Sequence, residues 1–181
     1  MLDATPILRL YARHRLGRLA ASRPAAVQEQ QLLSLAGAAR HTRFGKDHHF
    51  SGIKSVDDFQ RQVPLRRYED FWTDYWSAPF PRLTDVSWPG KIPYFAVTSG
   101  TTADTTKYIP LTAAMIQSNV KAGLTLLAHH LANRPNSRIF GGKNFMLGGS
   151  TKLVAEAPGV WSGDLSGIAT RRIPWYARSR S

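Results

Sequence analysis

Tyr94-Phe95-Ala96-Val97-Thr98-Ser99-Gly100-Thr101-Thr102-Ala103-Asp104-Thr105-Thr106-Lys107-Tyr108-Ile109-Pro110-Leu111-Thr112 is the most informative stretch of this 181-residue chain. Residues 94–97 have strand character, being aromatic and β-branched, and Tyr108-Ile109 resume it. Between them, residues 98–107 form a small-residue connection expected to join two strands of one sheet. Glycine lets a backbone approach an anion closely. Successive backbone N–H groups can form a concave nest for phosphate oxygens. The hydroxyls of Ser99, Thr101 and Thr102 add donors, and Lys107 adds a mobile positive charge. At about 4 Å and an effective dielectric near 20, one lysine–phosphate pair is worth roughly 4 kcal/mol before desolvation. The loop is not a Walker A loop, because the second glycine and an adjoining Lys-Ser/Thr are missing. A Ser/Thr/Gly hairpin that binds nothing has the same composition, so the residues alone leave both readings open.

After Pro110, Thr112 is placed to cap a helix whose apolar positions Ile116, Val120, Leu124, Leu127 and Leu131 recur at helical spacing. Residues 141–167 hold seven glycines, read as tight turns around short strands at 144–147 and 152–155. Upstream, residues 77–93 hold four prolines and read as irregular connection. Tyr68 to Trp76 reads as a short aromatic helix in which Phe71, Trp72, Tyr75 and Trp76 serve as core or lid packing, with the wall of an acyl-substrate pocket as the alternative. Ser55-Val56-Asp57-Asp58 resembles a capping box with aspartate in place of glutamate, opening a helix that stops before Pro64. Val27, Gln31, Leu35 and Ala39 are spaced four apart and predict a second helix, ending at Phe44-Gly45 with Gly45 as a left-handed cap. Thr5-Pro6 predicts the start of the first helix, with Thr5 as its cap.

Composition narrows the function. Apolar residues make up 43% and charged residues 20%, a globular rather than disordered balance. The chain has no cysteine, which excludes a disulfide scaffold, a zinc–thiolate centre and cysteine catalysis, and fits a reducing, cytoplasmic setting. No apolar run reaches the roughly 18–20 residues a membrane helix needs, so no membrane partner is expected. Arginines 9, 13, 15 and 18 interrupt any secretory core. The formal charge of +12 raises a nucleic-acid reading, but the charges are spread and no helix-turn-helix, zinc finger or RNA-binding signature accompanies them. His48-His49 and His129-His130 are adjacent pairs; on a helix such neighbours point about 100° apart, so no metal site is expected from them. Ser150 and Ser166 lack the Gly-x-Ser-x-Gly setting of a serine hydrolase.

The string from Thr98 to Thr112 resembles the first nucleotide-binding motif of the GH3 family of acyl acid–amido synthetases, members of the wider acyl-adenylate-forming superfamily. Thr42-Arg-Phe-Gly-Lys-Asp-His48, Phe50, Ile53, Asp58-Phe59-Gln60, Val63-Pro64-Leu65 and Tyr68-Glu69 stand in the family's order upstream. Leu147-Gly-Gly-Ser-Thr151 and Gly163-Asp-Leu-Ser-Gly167 resemble its bacterial members downstream. The resemblance runs from about residue 25 to residue 176. It implies ATP and Mg²⁺ as cofactors, and a small-molecule carboxylate and an amine as substrates. By the same carry-over, Thr98, Ser99, Gly100, Thr101 and Thr102 line the phosphates and Lys107 faces the β/γ end; catalytic residues are not assigned. Ala103 and Asp104 stand where the family keeps a glycine, and Asp104 brings a negative charge beside the anion. Family members are much longer, so the expectation is a truncated N-terminal portion, inactive alone. Its alternatives are a non-catalytic remnant and a basic nucleic-acid-binding module.

The expected architecture is α/β: N-terminal helices packed on a partial mixed β-sheet, as the incomplete N-terminal domain of an adenylate-forming enzyme. The expected organisation is one partial domain over 1–181. It has helices over 1–45, short helices and a Pro-rich connection over 46–93, and a nucleotide-binding sheet region over 94–181.

Overall fold

The computed structural model describes residues 3–98, 106–142 and 149–171. In chain order these form α1 (Thr5–Ala20), α2 (Pro24–Ala39), α3 (Arg43–Asp47), a 3₁₀ turn (Phe50–Gly52), α4 (Val56–Gln62), α5 (Tyr68–Phe71), a π-helical turn (Trp72–Trp76), β1 (Tyr94–Thr98), β2 (Lys107–Leu111), α6 (Ala113–Asn133), β3 (Val154–Ala157), β4 (Val160–Gly163) and α7 (Leu165–Arg171). The strands make one mixed sheet in the order β2-β1-β4-β3. The expectation of an α/β chain on a partial mixed sheet is borne out. β1 and β2 are neighbours, so the 98–107 connection does join two strands of one sheet. β2, which contains Pro110, lies at an edge of the sheet, the position where a proline is tolerated. β3 and β4 are joined through Pro158-Gly159 and run antiparallel; Gly159 supplies the positive φ of +72° that the turn needs. The second short strand expected at 152–155 begins two residues later, and the one expected at 144–147 lies outside the described residues.

The chain resolves into two compact units. The first comprises the described parts of Met1–Ser22, Ala96–Val154 and Ser162–Ser181. Here α1 packs along α6, and the core includes Leu8, Ala12, Ala96, Leu111, Ile116, Ala128, Leu131 and Ile168. Thr112 caps α6 as expected, its hydroxyl accepting from the Met115 N–H at 3.0 Å. The apolar stripe of α6 is only partly used: Ile116 and Leu131 are buried, whereas Val120 is 55% exposed. Thr5 does not cap α1. It is the first helical residue, and Asp3 takes the capping role by accepting from the Thr5 N–H at 2.9 Å. The Thr5 hydroxyl is buried and accepts instead from the Phe140 N–H at 3.1 Å. Asp3 also accepts from Arg138 Nε at 2.9 Å. With Thr5 Oγ1 accepting from Phe140 and Arg9 Nη2 donating to the Ser137 carbonyl, α1 is tied to the segment after α6. These bonds hold the Asp3 carboxyl at about 2, below the ordinary 3.8, chiefly through the bond from Thr5 and then that from Arg138.

The second unit comprises Arg23–Phe95 and Ala155–Trp161. Its core is aromatic. The Phe44 ring meets His48, Phe50, Phe71 and Tyr75 at centroid distances of 4.4, 5.6, 5.2 and 5.2 Å. Tyr75 is buried and Phe71, Trp72 and Trp76 are half-buried, which agrees with their reading as packing residues. Of the stripe expected for α2, Ala39 is buried, together with Ala36, while Val27 and Leu35 are 51% and 44% exposed. Gly45 is not a left-handed cap but lies inside α3, where a Cβ would collide with the Ala39 carbonyl oxygen. The corner between α2 and α3 is closed by Thr42. Its hydroxyl donates to the Ala39 carbonyl at 2.7 Å and accepts from the Gly45 N–H at 3.0 Å. Ser55 caps α4 by accepting from the Asp58 N–H at 3.1 Å, as expected, and Asp58 in turn accepts from the Lys54 N–H at 3.0 Å. Residues 77–93 form no long element but are closed by a Thr84–Lys91 bridge and by the Ile92 N–H donating to the Leu83 carbonyl at 2.9 Å. The first turn of α3 bonds to that segment through Arg43 N–H to Asp85 and Phe44 N–H to Val86.

Candidate functional site

The candidate site is the connection between β1 and β2. β1 ends at Thr98, which is exposed, and β2 begins at Lys107, which is half-buried. Because the strands are neighbours, the structure brings the first and last residues of the predicted loop to adjacent strand ends. Ser99, Gly100, Thr101, Thr102, Ala103 and Asp104 lie outside the described residues. Residues 96–98 of β1, all of β2 and residues 162–163 of β4 belong to the same unit.

The first unit also contains a close crossing that sequence reasoning assigned to simple turns. Residues 149–153 pass against residues 163–167. The Ser150 N–H donates to Asp164 Oδ2 at 2.7 Å, and the Gly149 N–H donates to Ser166 Oγ at 3.0 Å. A Cβ on Gly149 would stand 2.7 Å from Asp164 Oδ2, one on Gly163 would stand 2.6 Å from Leu153 Cδ2, and one on Gly167 would strike the Ser150 carbonyl oxygen. These three glycines are therefore present for close approach and not for turns; among the described glycines, only Gly90 and Gly159 have positive φ. The signal available beforehand was the pairing of two Gly-Ser-containing strings, 147–151 and 163–167, which nothing local shows to be partners. Among the described residues no group of three His, Cys, Asp or Glu side chains is placed to hold a metal ion. His129 and His130 are exposed on α6, and His130 Nε2 lies 3.0 Å from the Ser137 hydroxyl.

These elements define a mixed α/β protein in which a hydroxyl- and glycine-rich connection, bounded by a lysine, links an edge strand to its neighbour. The chain belongs to the GH3 family: the model of the GH3 family N-terminal domain matches residues 15–178. Among solved structures it is similar to a GH3.15 acyl acid amido synthetase, with a TM-score of 0.72 and 16% identity over 88% of this chain and 28% of the other. It is also similar to the AtGH3.15 acyl acid amido synthetase in complex with 2,4-DB, with a TM-score of 0.65 and 18% identity over 80% of this chain and 25% of the other. The chain thus spans little more than a quarter of the length of these relatives. No curated protein matches it. No helix among the described residues is long and apolar enough to cross a membrane.

Proposed function

We propose that this chain supplies the phosphate-binding part of an ATP-dependent acyl acid–amido synthetase. In that reaction a carboxylate oxygen attacks the α-phosphate of ATP, giving an acyl-adenylate and releasing pyrophosphate. An amine then attacks the activated carbonyl, giving an amide and releasing AMP. Such transfers depend on positioning and charge stabilisation more than on a protein nucleophile. Thr98, Ser99, Gly100, Thr101 and Thr102 would contribute N–H and hydroxyl donors to the phosphates, with Lys107 at the β/γ end. Mg²⁺ would arrive with the nucleotide, held mainly by phosphate oxygens and water, as is usual for this ion. The acyl donor would be a small carboxylic acid, in line with the relative solved with 2,4-DB.

The observation that carries this reading is the placement of Thr98 and Lys107 at the ends of neighbouring strands, bracketing the motif inside a GH3 chain. Because the chain spans 28% of its solved relative, we further propose that it binds nucleotide without completing the reaction by itself. Titration calorimetry with ATP–Mg²⁺ tests the site: wild type binds, and Lys107→Ala binds at least about 10-fold more weakly, a loss of about 1.4 kcal/mol. Binding unaffected by the substitution would remove Lys107 from the site. No binding by the wild type would make the chain a non-catalytic remnant. ATP–pyrophosphate exchange by the purified chain would overturn the claim that it does not turn over.

A further inference from the structure

The second unit contains a buried imidazole whose surroundings, on balance, favour its uncharged form. His48 follows α3 and is 9% exposed. The Phe44 ring lies edge-on to it at 4.4 Å. The Gln62 backbone, at the end of α4, favours a proton on the ring, but less than burial and Arg66 oppose it; with its side-chain amide turned over, Gln62 donates to the backbone carbonyls of His48 and His49, 3.1 Å each. His48 Nε2 is buried with no hydrogen-bond partner. So is Arg66 Nε, on the guanidinium that is the strongest charge acting on the ring. That guanidinium is itself fixed. It donates at 2.6 Å to Oδ2 of Asp74, a residue of the π-helical turn, and it sits 6.0 Å from the Phe71 ring centroid and 5.4 Å from that of Tyr75.

We propose that His48 is a proton-operated latch: uncharged, it lets the Tyr68–Trp76 helix seat on α3, and on gaining a proton it loosens that seat. The charged groups around the ring support this polarity. Arg66 and His49 oppose a charge on His48, and the one carboxylate favouring it is Asp47. Asp47 is already engaged, accepting from the Tyr75 hydroxyl at 3.1 Å, and Arg43 lies 5.1 Å from the same Tyr75 ring. Asp74 is held by Arg66. A proton on Nε2 would therefore create a buried donor without an acceptor, next to a guanidinium that cannot withdraw without giving up Asp74 and two aromatic rings. The cheaper escape is for the ring to leave Phe44, and Phe44 also carries Phe71 and Tyr75.

Burial first, and then Arg66, push the His48 pKa below its ordinary 6.5. A group depressed on folding takes up more protons when unfolded, so its contribution is complete above about pH 6.5 and is lost as the pH falls through that value toward the depressed one. Acidification is thus the direction that opens the latch.

The test is an NMR titration of the full chain between about pH 7.5 and 5. Its readouts are the His48 ring signals and the indole N–H peaks of Trp72 and Trp76; the Trp76 indole donates to Ser87 Oγ at 3.1 Å in the closed form. The expected result is a His48 midpoint below 6.5, with both indole peaks shifting at that same midpoint. In His48→Gln, which keeps an uncharged polar side chain, the indole peaks stay unmoved over the range. A midpoint at or above 6.5, indole peaks that ignore the His48 titration, or a His48→Gln chain that still shows the shift would overturn the proposal. If His48→Gln fails to fold, the coincidence or separation of the two wild-type midpoints decides it.

Discussion

Replacing Gly45 by alanine adds one methyl group, and its cost can be worked out from the corner between α2 and α3. The new Cβ would overlap the Ala39 carbonyl oxygen and stand 2.9 Å from the Ala39 carbonyl carbon and 3.1 Å from Arg40 Cα. All three atoms are backbone, so no side chain can swing aside. Overpacking of this kind costs about 1–3 kcal/mol. The carbonyl that must move also accepts from the Thr42 N–H at 3.0 Å and the Thr42 hydroxyl at 2.7 Å, bonds worth about 1 kcal/mol each. The sum is a loss of about 3–5 kcal/mol. With a urea m-value of about 2 kcal/mol/M, the unfolding midpoint should fall by about 1.5–2.5 M. Gly37→Ala is the internal control, because a Cβ at Gly37, in α2, meets nothing within 4 Å. Helix propensity alone then predicts a gain of about 0.5–1 kcal/mol. Urea unfolding of the two variants, followed by aromatic fluorescence, gives both numbers. A Gly45→Ala midpoint within about 0.5 M of wild type would refute the steric assignment, because a simple left-handed cap costs only about 1 kcal/mol to lose.

The clasp around Asp3 predicts an acid-sensitive first unit. With its carboxyl at about 2 when folded and near 3.8 when not, its stabilisation is complete above about pH 4 and disappears as the pH falls toward 2. Asp3→Asn should flatten that part of the melting-temperature profile, and an unchanged profile would dismiss the clasp. Phe95 is fully buried and meets Phe80 edge-on at 5.1 Å, so Phe95→Ala should cost about 3–5 kcal/mol in denaturant unfolding. Thr112→Ala removes the acceptor for the Met115 N–H. It should cost about 1 kcal/mol, measured as a loss of α6 protection in hydrogen exchange, with no loss if another group takes over the cap.

Wherever the controlling interaction is local, the sequence was sufficient. Ser55 and Thr112 were legible as caps because each bonds an N–H three residues ahead. The two strands flanking the 98–107 connection were legible from β-formers on either side of small residues. The family was legible from segments that recur in order across the chain. What the chain could not announce was set by separate segments meeting in space. Thr5 turned from cap to buried acceptor because Phe140 comes to it. Of its expected stripe α2 buries Ala39 but not Val27 or Leu35, and Gly45 is small because of a carbonyl six residues earlier on another helix. Gly149, Gly163 and Gly167 are small because two separate segments cross there. A hydrogen bond spanning three residues is written in the residues that make it. A steric exclusion is written in the partner that arrives, and only tertiary packing decides which partner that is.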